Sequence, residues 1–215
     1  MNDTIFAPVT AVGPSAVSIF RVSGKDSIKI LKTLTKNTKL PVKRKLLLKK
    51  IYVPKKNKLE VLDICLICWM PKPESFTGED SFEIHSHGGK ATSHAIIKAF
   101  SQIKGLRFAE PGEFSKRALI NGKIDLIKAE AINEIITAET EKQRSLSIKQ
   151  LHEGLSIPVN LWREKLIKVL SKIEAIIDFS DEDGVPKTIN VFSDLEIIIA
   201  DLKKTLKEGE RKNLI

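Results

Sequence analysis

The chain has 215 residues, 42% of them hydrophobic and 29% charged, which is enough for one large or two small globular domains with a sizeable core. Mean hydropathy is near zero at −0.09, and the sequence contains no apolar run of membrane-spanning length. Disorder and a transmembrane helix are therefore excluded as the class of the chain, and its formal net charge is +9.

The N-terminus MNDTIFAPV lacks a basic segment followed by an apolar core, so no secretory signal is read there and a cytoplasmic protein is expected, with no membrane partner. DTIFAPVTAV and SAVSIFRVSG read as two strands joined through Gly13 and Pro14, and Asp26 is expected to cap the short helix SIKILKTL. KLLLKKIYV, VLDICLICWM and SFEIHSH supply three more strands. Cys65 and Cys68 lie three apart in one of them and so point to opposite faces, which predicts reduced core thiols rather than a shared metal.

Gly88 and Gly89 lead into the helical pattern ATSHAIIKAFSQI, which stops at Lys104 and Gly105. Pro111 opens a helix through GEFSKRALI, ended by Asn121 and Gly122. Residues 1 to 120 are thus expected to form an α/β or α+β unit of about five strands with helices. From Asp125 the apolar residues recur at helical spacing, which predicts one long helix reaching Leu151 and Gly154. A second helix, with Pro158 near its start, carries a stripe from Leu161 to Ile177 and is broken by DFSDEDGVP. A third is expected from Ser193, with Glu196 three residues on in a capping-box pattern, to Gly209. Residues 121 to 215 therefore read as a helical domain.

Residues 36 to 58 hold ten Lys or Arg and no Asp or Glu, so the other residues carry 26 basic against 27 acidic side chains. A patch of this kind concentrates polyanions such as RNA, and it equally fits a solvated lysine-rich edge strand that resists aggregation. A basic RNA-binding adaptor is one function class consistent with it.

The run ESFTGEDSFEIHSHGG, residues 74 to 89, gathers carboxylates, two histidines and a glycine pair. On a strand, Glu83, His85 and His87 share one face, but Glu83 and His87 stand about 13 Å apart along the backbone while ligand atoms lie about 2 Å from a zinc ion. The three cannot converge on one ion. A metal-dependent hydrolase using His85 and His87 would need ligands from elsewhere, and no metal or catalytic residues are assigned. Gly88 and Gly89 fit an anion cradle at a helix start, a tight turn, or a close backbone approach. None of the Gly-Lys pairs has the spacing of a nucleotide-binding P-loop.

Taken together, DTIFAPVT with SIFRVSG, ESFTGEDSFEIHSHGG, and EPGEFSKRALINGKIDLIKAEAINEII resemble the N-terminal part of the MnmE (TrmE) family of tRNA-modification GTPases, in family order from residue 3 to about 140. The later helices with IDFSDED resemble the family's helical domain, while Val12-Gly13-Pro14-Ser15 lacks an arginine that is common at that turn. The resemblance implies an α+β domain, a mixed β-sheet of about five strands with helices, that binds a tetrahydrofolate derivative, 5-formyl- or methylene-tetrahydrofolate, and forms a homodimer. It also implies a helical domain into which a GTPase domain is inserted. The family works with the flavoprotein MnmG (GidA) to modify the wobble uridine of tRNA at its fifth ring position. GTP, Mg2+ and K+ belong to the GTPase domain, which would begin about where this sequence ends, so the chain is expected not to bind them or to turn over alone. The positions that match the family's folate contacts are Arg21, Glu83 and Lys123. A carboxylate suits the pterin's paired donors, and cations suit the anionic glutamate tail.

Overall fold

Period-two alternation of apolar residues builds the first half of the chain. The computed structural model describes residues 3–11, 13–39, 41–55, 58–178 and 191–213. Strands β1 (Thr4–Pro8), β2 (Ser15–Ser23), β3 (Leu46–Lys55), β4 (Lys58–Met70), β5 (Ser81–Gly88) and β6 (Leu106–Phe108) form one sheet in the order β3-β4-β5-β2-β1-β6. Every pairing is antiparallel except β1 with β6, so the sheet is mixed, as expected. The sixth strand was not foreseen. It is three residues long, too short for alternation to register, and its pairing with β1 joins positions about a hundred residues apart.

Helices α1 (Ser27–Thr35) and α2 (Lys90–Ser101) pack on one face of the sheet, and α3 (Glu113–Ile120) follows β6. Phe20 and Val22 of β2, Cys65, Ile67 and Trp69 of β4, and Phe82 and Ile84 of β5 alternate onto the covered face. There they meet Ile30, Leu31 and Leu34 of α1 and Ile96 and Phe100 of α2, each such side chain contributing about 1.5–3 kcal/mol of transfer free energy. Phe6 and Phe100 meet edge to face at 5.1 Å. Cys65 is buried and Cys68 only partly so, in keeping with opposite faces. Asp26 does not cap α1 with its side chain, contrary to expectation; its backbone N–H donates instead to Thr4 Oγ1 at 2.9 Å, which ties the helix start to β1.

The chain divides into two compact units, Met1–Ala129 and Glu130–Ile215. Where one long helix was expected, two occur, α4 (Leu126–Thr137) and α5 (Glu141–Glu153). The break is a capping box: Thr140 Oγ1 accepts from the Gln143 N–H at 3.2 Å, and Gln143 Oε1 accepts from the Thr140 N–H at 3.0 Å. Helix α6 (Ser156–Asp178) has Pro158 in its first turn, as read from the sequence. Helix α7 (Phe192–Asn213) starts before Ser193, so that residue is not its cap, and continues past Gly209. The break expected at DFSDEDGVP lies, from residue 179 on, outside the described residues. No helix among the described residues is long and apolar enough to cross a membrane.

Candidate functional site

The central pairing of β2 with β5 sets Arg21 directly across from Glu83 on the face that α1 and α2 leave open. Arg21 donates from Nε at 2.8 Å and approaches from Nη2 at 2.7 Å, both to Glu83 Oε1. The second carboxylate oxygen, Oε2, faces His85 Nε2 at 3.3 Å. The Arg21 guanidinium also sits over two rings, 5.2 Å from the Phe76 centroid and 5.5 Å from that of Phe114. A cation, a carboxylate and two aromatic faces therefore share one partly sheltered place, with Glu83 16% exposed.

Phe76 is carried by the segment 74–80, and several groups hold that segment in shape. Ser23 Oγ donates to Glu79 Oε2 at 2.7 Å and lies 2.7 Å from Thr77 Oγ1, while Asn121 Nδ2 donates to the Thr77 carbonyl at 2.7 Å. Gly78 has φ +76°, and a Cβ there would stand 3.0 Å from Lys123 Cγ, so the lysine stem lies across a glycine that leaves room for it. Arg21 and Glu83 are thus in direct contact, and Lys123 joins them through the segment that bears Phe76.

Beneath this segment lies an ion network that sequence reasoning missed. Arg117 is 1% exposed; it donates to Asp3 Oδ1 at 2.7 Å, to Glu113 Oε1 at 2.9 Å and to Glu79 Oε1 at 3.1 Å. Arg107 adds two bonds to Glu113, at 2.6 and 2.8 Å. The hydrogen bonds from Arg107, opposed by partial desolvation, hold the Glu113 carboxyl down at about 2. Burial opposes ionisation of Asp3, yet bonds from Arg107 and Arg117 keep its carboxyl below the usual carboxylate range. Burial likewise disfavours the charge on Arg117, and Glu113 and Asp3 overcome it and raise its pKa.

The two histidines of the run are each engaged by a carboxylate. His85 faces Glu83, and Asp63 holds His87 by Nδ1 at 2.8 Å and by its backbone N–H at 2.9 Å. Among the described residues no group of three or more His, Cys, Asp or Glu is placed to hold a metal ion. Gly88 is explained by close packing, because an added Cβ would run into the Ser15 side chain and carbonyl of the neighbouring strand. Burial, with Asp63 nearby, pushes the Cys65 thiol up to about 12, and burial with Glu83 nearby raises Cys68. A cavity of about 290 Å³ lined by Thr10, Ser18, Lys90 and His94 lies elsewhere on the first unit, and an apolar groove of about 390 Å³ runs along α6 and α7; neither is lined by Arg21, Glu83 or Lys123.

The class of protein is thus a six-stranded mixed-sheet domain with an Arg–Glu pair on its open face, followed by helices. Residues 4–123 match the family described as the GTP-binding protein TrmE N-terminus, and residues 126–215 match the MnmE helical domain. The chain is 47% identical over 213 residues to the tRNA modification GTPase MnmE of Pelagibacter ubique, covering 97% of this chain and 47% of that protein. It is 43% identical over 188 residues to the protein of the same name from Methylobacterium sp., covering 87% and 42%. The Rickettsia prowazekii protein of that name is 39% identical over 215 residues, covering 99% and 47%. The chain belongs to the MnmE (TrmE) family and comprises its N-terminal and helical regions. It spans about half the length of the curated relatives it matches.

Proposed function

We propose that the chain is the tetrahydrofolate-binding, dimer-forming part of a cytoplasmic tRNA-modification GTPase that, with the flavoprotein MnmG (GidA), adds a carboxymethylaminomethyl-type group to the wobble uridine of tRNA. The observation that carries this reading is the Arg21–Glu83 pair, half-buried between Phe76 and Phe114 beside the segment that Lys123 crosses. The donor set fits a reduced folate. Glu83 Oε2 is the carboxylate oxygen that Arg21 leaves over, and it would accept the pterin's amino and ring N–H donors. Arg21, anchored to Glu83 through Nε and Nη2, keeps Nη1 for a carbonyl or carboxylate oxygen, and Lys123 would meet the anionic tail. When bound, the folate would supply the one-carbon unit of the modification.

The homodimer has its own support. Leu46, Leu48, Ile64 and Leu66 are exposed on the same open face, in and beside the sheet row that contains Glu83, so a second copy could cover apolar surface and candidate site together. GTP hydrolysis with Mg2+ and K+, and action on tRNA, are proposed for the whole protein.

Calorimetric titration with 5-formyltetrahydrofolate tests the site. Wild type should bind without GTP, and Glu83→Gln, which replaces an acceptor oxygen with a donor, should weaken binding by about 1.5–3 kcal/mol. Arg21→Ala and Lys123→Ala should each weaken it without unfolding the protein. Folded wild type with no folate heat at high micromolar concentration would overturn the reading, and full affinity in Glu83→Gln would overturn the role given to that residue.

A further inference from the structure

Between Asp26 and Glu60 the sequence holds twelve Lys or Arg and not one acidic residue, so the other residues, with 24 basic against 27 acidic side chains, are net negative. This stretch is longer than the basic run 36–58, because it takes in α1. The fold turns it into a surface. Helix α1 packs against β3, the outermost strand of the sheet, on the face to which Leu47 and Lys49 point. Helix α1 buries Ile30, Leu31 and Leu34, while Lys29 and Lys32, with Lys36 at its end, are exposed at spacings of three and four. Lys36 Nζ stands 5.6 Å from the Tyr52 ring centroid, linking the end of the helix to the strand. Lys45 is exposed just before β3, and Lys49, paired with the buried Cys65, is half-exposed on the α1 side of the strand, whereas Lys50, paired with Ile64, turns to the open face.

Neutralisation within the protein is slight. Lys43 and Arg44 stand 3.9 Å from Glu74, too far for a tight pair, and Arg44 also donates to the Glu74 carbonyl. Among the described residues Lys29, Lys32, Lys36, Lys45, Lys49 and Lys50 have no carboxylate within ion-pair distance, whereas on the second unit Lys165 and Lys172 are each paired with an aspartate. A solvated edge would need a few lysines; a helix face and a strand edge charged together, with no acid between Asp26 and Glu60, form a surface made for a polyanion.

From this we infer that the α1–β3 surface is an RNA-backbone contact, which holds tRNA by its phosphates while the folate site lies on the open face of the same sheet. The choice of RNA over other polyanions rests on the proposed function above; the charge itself asks only for repeated phosphates. Contacts of this kind position a nucleic acid and carry no base specificity, so affinity should follow salt rather than sequence.

The test is binding of an end-labelled tRNA transcript by fluorescence anisotropy over about 50–300 mM KCl, with wild type and two variant sets, Lys29→Gln with Lys32→Gln, and Lys45→Gln with Lys49→Gln. Wild type should bind with log affinity falling linearly in log salt, and each pair of substitutions should lower that slope by about 1.5–2. Lys203→Gln with Lys204→Gln, on α7, should leave it unchanged. Either set suffices should the other fail to fold, as judged by circular dichroism. Unchanged slopes in both sets, or binding of the wild type to phosphatidylserine vesicles but not to tRNA, would overturn the inference. Folate titration of the same samples separates the two readings: folate binding without RNA binding sinks this one alone, and RNA binding without folate binding sinks the other.

Discussion

Removing the Arg117 guanidinium puts the ion network under the 74–80 segment to a direct test. Arg117→Met keeps much of the side chain's bulk and deletes its bonds to Asp3, Glu79 and Glu113. Breaking a buried ion pair by deleting one partner costs about 3–5 kcal/mol, because the abandoned charge keeps its desolvation penalty. Here each carboxylate retains a donor: Glu113 keeps Arg107 and the Glu110 N–H, Glu79 keeps the Ser23 hydroxyl, and Asp3 keeps Arg107 and is 42% exposed. The loss should therefore fall at the low end, about 3 kcal/mol. With a urea slope of about 2 kcal/mol per molar, the unfolding midpoint drops by about 1.5 M. Tryptophan fluorescence in a Trp162→Phe background reads the first unit alone, since Trp69 lies in its sheet. A loss below about 1 kcal/mol would refute the network's structural role.

Acid should act on the same network. Glu113 titrates at about 2 in the folded protein against 4.5 ordinarily, so its contribution is complete above the ordinary value and disappears as pH falls from about 4.5 toward 2; it amounts to about 3 kcal/mol and is read by urea midpoints at pH 6, 4 and 3. A flat stability profile across that interval would contradict it. Gly78→Ala forces a Cβ into a backbone with φ +76° and against the Lys123 stem, and should cost about 1–2 kcal/mol, seen as a fall of a few degrees in Tm, together with weaker folate binding. With its thiol pushed up to about 12, Cys65 should resist iodoacetamide at pH 8 in the native protein while Cys68 reacts slowly; peptide mapping that finds Cys65 labelled promptly would count against its burial.

Local regularity explains what could be read from the sequence. Five strands and the helices around α2, α3 and α6 follow from alternation, helical spacing and Gly or Pro punctuation, all of which act within about a dozen residues. The break between α4 and α5 was also written in the chain, as Thr140 and Gln143 three apart, but the apolar rhythm on either side conceals it. The family resemblance pointed to Arg21, Glu83 and Lys123, and two of these face each other across paired strands. Phe76, Phe114 and Arg117 could not be found in this way. Arg117 bonds to Asp3 across 114 positions, and no spacing rule marks an arginine as buried until the fold places three carboxylates around it.

The parallel docking of β6 on β1 bears on how the protein emerges from a ribosome. Once the first strand is made, its outer neighbour arrives about a hundred residues later, and Asp3 must wait longer still for Arg117. At about 5–20 residues per second, that interval lasts roughly 5–20 seconds. Throughout it β1 keeps an open side, and for most of it the central partner of β2, strand β5, is itself still to come. Closure of the sheet is thus a late event in the making of this unit. A pause or premature stop before residue 106 would leave a nascent chain in which β1 has an unpaired edge, the form most open to chaperone capture or aggregation.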